Sequence, residues 1–90
     1  NQVELIKIKK NGFYGIYNRE GNMIVSVLYD DIKSYNNGVF LVEKDKKFGL
    51  LKLNGEMLVP FQSNSQIRYN YQLKKWELSE NSVWVEIEEQ

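Results

Sequence analysis

The sequence predicts an all-β protein: an antiparallel meander of hairpins with about 8–9 short strands, arranged in two repeats of about 34 residues and a modified C-terminal cap. Three observations carry this. Tyr14-Gly15-Ile16 recurs as Phe48-Gly49-Leu50 and Gly21-Asn22-Met23-Ile24-Val25 as Gly55-Glu56-Met57-Leu58-Val59, and both glycine pairs lie 34 residues apart. Turn signals punctuate the chain at short intervals, at Asn11-Gly12, Glu20-Gly21-Asn22, Asn36-Asn37-Gly38, Asp45-Lys46, Asn54-Gly55 and Ser79-Glu80-Asn81. No window shows a sustained 3.6-residue apolar period, and alanine, the strongest helix former, is absent.

The elements follow in order. Asparagine and glycine tolerate positive φ, so tight hairpin turns cost least at those punctuation points and strands fill the gaps between them. They are expected at 3–10, 13–18, 23–29, 39–44, 48–53, 57–61, 66–73, 75–78 and 82–88. Met23, Val25, Val27 and Tyr29 fall on one face of their strand, as do Ile67, Tyr69, Tyr71 and Leu73 of theirs. Pro60 has no N–H to donate, which places its strand at a sheet edge or breaks it there. Each repeat then reads as a three-stranded meander, with the next copy continuing the sheet. The division is one domain over 1–90, with repeat one at 7–40, a degenerate repeat two at 41–74 and capping strands at 75–90. The chain starts directly in strand-like sequence without a methionine, as expected of a fragment of a longer protein.

Composition narrows the function. The 90 residues include no cysteine and no histidine, which removes thiol nucleophiles, disulfides, imidazole bases and the usual zinc ligands. Neither a metal nor another cofactor is expected. Twelve basic and twelve acidic side chains cancel, so the broad positive field of a nucleic-acid binder is absent. No apolar run approaches the roughly 20 residues of a membrane helix, and no membrane insertion is expected.

An aromatic-glycine pair, a Gly-x-Met-Ile/Leu-Val strand, a Tyr-Asp pair and a later glycine before an apolar strand together resemble the WG repeat family, also called KWG repeats, common in bacterial proteins. The better copy runs through Lys10-Asn11-Gly12-Phe13-Tyr14-Gly15, Gly21, Ile24-Val25, Tyr29-Asp30-Asp31-Ile32, Gly38 and Leu41-Val42-Glu43-Lys44. The second keeps Lys47-Phe48-Gly49, Asn54-Gly55 and Leu58-Val59-Pro60-Phe61, with Ser63 and Asn64 where the Tyr-Asp pair should fall. Tyr14 and Phe48 stand where the family has its tryptophan, and the likeness spans about residues 5–62. It implies a β-repeat interaction module with no shared catalytic residues.

The remaining residues are weighed on their chemistry. Tyr14 and Phe48, each beside a glycine, read as core aromatics rather than as a ligand platform. Asp30-Asp31 reads as a turn cap bonded to nearby backbone N–H groups rather than as a catalytic or metal pair. Lys7, Lys9 and Lys10, with Lys44, Lys46 and Lys47 one repeat later, read as a solvated edge. The C-terminal aromatics Tyr69, Tyr71, Trp76 and Trp84 depart most from the repeat and form the candidate binding set. Val83, Val85 and Ile87 suit a cap over the last apolar face, and Glu86, Glu88 and Glu89 a charged edge. The expected function is a non-catalytic protein-interaction or scaffolding module with a protein partner. The alternative is a glycan or cell-wall binding module using exposed aromatic rings, Tyr35 among them.

Overall fold

A computed structural model describes residues 4–62, 66–80 and 82–87. Among them there is no helix and there are ten strands: β1 (Leu5–Lys10), β2 (Phe13–Asn18), β3 (Met23–Tyr29), β4 (Asp31–Asn36), β5 (Val39–Lys44), β6 (Lys47–Lys52), β7 (Met57–Gln62), β8 (Ile67–Asn70), β9 (Lys75–Glu80) and β10 (Val83–Glu86). The all-β hairpin architecture is as the sequence predicts. Every pairing is antiparallel between consecutive strands.

Five of the six expected turns form where the sequence places them, while Ser79 and Glu80 of the sixth lie within β9 and the expected strand 66–73 is cut short by a turn at 71–74. Asn11-Gly12, Asn37-Gly38 and Asp45-Lys46 all take positive φ at both residues, from 53° to 85°. Two consecutive left-handed residues match the right-handed twist of the flanking strands, so each pair closes a two-residue hairpin.

The copies do not continue one sheet. There are three sheets: sheet 1 with order β1-β2-β3, sheet 2 with order β4-β5-β6-β7, and sheet 3 with order β10-β9-β8. The break falls at Asp30. Its N–H donates to Glu43 O at 2.9 Å and its carboxylate accepts from Asp45 N–H at 2.7 Å, so the chain turns a corner between β3 and β4. β4 is the strand that the sequence reading lacks. Its alternation is masked by Lys33 and Ser34, where the pairing with β5 carries a bulge.

The sheets stack so that sheet 2 is buried on both faces. Phe40, Val42, Leu51 and Ile32 meet Ile16 and Val25 of sheet 1 in one core. Val39, Leu50 and Val59 meet Trp76 of sheet 3 in the other. Strand β5 therefore reads Val-Phe-Leu-Val with no polar alternation, as a strand covered on both sides must.

Strand spacing makes the repeat visible in three copies. β1, β2 and β3 start 34 residues before β5, β6 and β7, while β5 and β6 start 36 residues before β9 and β10. The two extra residues lie in the β8–β9 connection, 71–74. There Asn70 Oδ1 accepts from the N–H groups of Gln72 and Leu73 at 3.0 and 3.1 Å. This side-chain-to-backbone turn ends β8 at Asn70, so Tyr71 and Leu73 do not share a strand face with Ile67 and Tyr69.

The face expected for Met23, Val25, Val27 and Tyr29 is likewise split by irregular register between β2 and β3. Val25 enters the first core, whereas Val27 lies against Gly15 on the other side of the sheet. Pro60 sits in β7, an edge strand, as its missing donor requires.

Candidate interaction surface

The glycine of each aromatic-glycine pair marks a strand crossing. A Cβ built at Gly15 meets Val25 O and Val27 Cγ2, each at 2.7 Å. At Gly49 it meets Met57 Cε at 2.8 Å and Val59 O at 2.9 Å. The next strand runs too close for any side chain. The preceding aromatic points to the opposite face and is half-buried, as Tyr14 and Phe48 both are.

Trp84 occupies the same place in sheet 3. Tyr14 pairs with Lys9, Phe48 with Glu43 and Trp84 with Ser79, at successive offsets of 34 and 36 residues on both strands. The longer β8–β9 turn hides this equivalence from a fixed-period search. Val85 then follows where Gly15 and Gly49 stand. Among the described residues no strand crosses it, and it is solvent-exposed.

Each of the three rings carries a cation. Lys7 Nζ lies 4.4 Å from the Tyr14 centroid, Lys33 Nζ 5.7 Å from that of Phe48, and Arg68 Cζ 3.8 Å from that of Trp84. Each cation also has a carboxylate. Lys7 bonds Asp31 at 2.9 Å, Lys33 reaches Asp31 at 3.6 Å and Glu43 at 3.8 Å, and Arg68 Nε donates to Glu77 Oε1 at 2.8 Å. Asn70 supplies a second donor to Glu77 at 3.3 Å. Hydrogen bonding from Lys7 holds the Asp31 carboxyl below its ordinary value, and the Arg68 hydrogen bond does the same for Glu77.

Between sheets 2 and 3 this row opens into a groove of about 600 Å³. Leu41, Phe48, Ile67 and Trp84 give it apolar walls, with Lys33 and Arg68 at the polar margin. The seam between sheets 1 and 2 holds a smaller hollow of about 380 Å³, where Lys7 stands at the position of Leu41 and its bond to Asp31 ties the two sheets together. Replacing that lysine by leucine one repeat later makes the second seam more apolar.

The four C-terminal aromatics do not form one patch. Trp76 is 0% exposed and its Nε1–H donates to Asn36 O at 3.0 Å, locking sheet 3 onto sheet 2. A ring buried on all sides contacts no external partner, so Trp76 serves the fold. Tyr69 packs edge-on against it at 5.2 Å, and Tyr71, 72% exposed, packs edge-on against Tyr69 at 5.0 Å. Trp84 lies across sheet 3 from all three, because Arg68 and Tyr69 are neighbours on β8 and face opposite ways. Phe48, Lys33 and Arg68 complete its groove, and the sequence reading did not join them to it.

The other motifs resolve as structure. Asp30 and Asp31 both accept backbone N–H bonds, the latter from Ile32 at 2.8 Å. Among the described residues no group of three Asp or Glu side chains could hold a metal ion. The family model of the WG containing repeat matches residues 14–48, one full period from Tyr14 to Phe48. Over those residues the chain is similar to a WG repeat. The WG aromatic position is thus the one that lines the row of capped rings, and in sheet 3 it holds a tryptophan. No curated protein matches the chain, and no solved structure does.

Proposed function

We propose that this chain is a non-catalytic protein-interaction or scaffolding module, and that the groove between sheets 2 and 3 receives an apolar side chain of a protein partner. The observation that carries this is the groove itself, with Phe48 and Trp84 at the same repeat position on two adjacent sheets and walls that are otherwise aliphatic. Tryptophan and arginine are both among the residues enriched at the energetic centres of interfaces. The ion pairs of Arg68 and Lys33 favour such a partner over a polyanion, because their charge is already neutralised within the fold. Asp31 and Glu77 are committed to those pairs too, which leaves neither positioned as a general base.

The test is affinity capture on the immobilised chain from a lysate of the source organism, comparing wild type with Trp84→Ala and Val83→Lys. Proteins retained by wild type and Val83→Lys but lost with Trp84→Ala support the groove. Retention indifferent to Trp84 defeats it. The glycan reading rests on the exposure of Tyr71, although the Tyr69 and Tyr71 rings stand at 78° rather than in a flat row. Co-sedimentation with insoluble peptidoglycan that is abolished by Tyr71→Ala would favour it instead.

A further inference from the structure

The outer faces of sheet 1 and sheet 3 are unlike. In sheet 2 the face that receives sheet 1 carries Phe40, Val42, Leu51 and Phe61. The residues 34 positions earlier are Ile6, Ile8, Tyr17 and Val27, and they form the outer face of sheet 1, with nothing described packed against it. Ile6 is paired across the strands with Tyr17, and Tyr17 with Met23, in one apolar row. Phe13 extends the face at its end. Ile6, Phe13 and Met23 are 48%, 44% and 55% exposed.

In sheet 3 the positions of Val39, Leu41 and Leu50 are taken by Lys75, Glu77 and Glu86, so charged groups replace the aliphatic ones on its outer face, where Arg68 covers the Trp84 ring. Of the two outer faces, the one built of aliphatic side chains is that of sheet 1, and a second copy offers the same one.

We propose that the outer face of sheet 1 is a self-association surface on which a second copy of this chain packs, face to face about a two-fold axis. The repeat supplies the argument for the occupant. The equivalent face one unit along is covered by a β-sheet presenting aliphatic side chains, and a copy of sheet 1 presents that same chemistry. A head-to-tail stack would instead set Ile6 and Ile8 against Glu86 and the Arg68–Glu77 ion pair, placing charged groups against an aliphatic face. A two-fold contact joins like with like and closes at two. Three strands of six or seven residues make a face of about 20 by 14 Å, below the standard size of a tight interface, so the pair is weak and concentration-dependent. This surface is remote from the groove and independent of its function.

The test is sedimentation equilibrium on the 90-residue chain from about 10 µM to about 1 mM, a range that brackets weak association. Wild type should rise from 10.7 kDa towards twice that mass and no further. Ile6→Lys should move the association at least tenfold higher in concentration, and Val83→Lys, 61% exposed on sheet 3, should leave it unchanged. Near-UV circular dichroism from buried Trp76 reports whether each variant keeps its fold, and Phe13→Lys replaces Ile6→Lys if that variant does not. A mass constant at 10.7 kDa, growth beyond two copies, or equal effects of the sheet 1 and sheet 3 substitutions overturns the proposal.

Discussion

Two residues of each period carry most of the geometric constraint, a glycine and the aromatic before it. At Gly15 the obstacles are backbone atoms, Val25 O at 2.7 Å and Val27 Cα at 2.9 Å, which cannot swing aside as a side-chain tip can. Gly15→Ala is therefore expected to lower stability by about 1–3 kcal/mol, the range for forcing extra volume into a packed site, read as a lower urea midpoint. A midpoint equal to wild type would mean that β3 does not cross β2 so closely. Trp76 shows the limit of reading single residues from sequence. Its enrichment at interfaces pointed outward, but its place one repeat after Phe40, shifted by two residues, puts it in the core with Asn36 O as partner for its indole N–H.

Between elements, ion pairs do what strand hydrogen bonds cannot, since no ladder joins one sheet to the next. Lys7 of β1 bonds Asp31 of β4, and this pair spans sheets 1 and 2. Asp31 and Glu77 are both held below their ordinary values of 3.8 and 4.5, so the unfolded chain takes up protons before the native one. Their contribution is present in full at neutral pH, starts to fall as pH drops through those ordinary values, and is gone below the lowered native ones. Asp31→Asn should accordingly lower the urea midpoint at pH 7, with the gap to wild type narrowing below about pH 4 as Asp31 itself is protonated. A gap that is constant with pH would sever the pair from stability. The strands were legible because turn glycines and asparagines bracket them, and the hairpins formed at those positions. β4 was not, since Ile32 is its one buried residue and the bulge that follows breaks the alternation. The groove was illegible for a related reason: Phe48 and Trp84 are equivalent only after the two extra turn residues are counted.

At the scale of the whole molecule, stability is a sum over sheets and the seams between them. Duplicating residues 19–52, from the β2–β3 turn to the end of β6, inserts β3–β6 once more and supplies one complete four-stranded sheet in register. The longer chain is expected to unfold at a higher urea midpoint and with a steeper denaturant dependence, because each added seam buries another apolar face. An unchanged midpoint would mean that the seams contribute nothing beyond their sheets. The 34-residue spacing of the first two copies has an evolutionary corollary. Unequal recombination between two copies in the coding sequence removes or adds a whole number of sheets without shifting a single strand partner, so a lineage can lengthen the stack between sheets 1 and 3 while the outer faces of both are inherited intact.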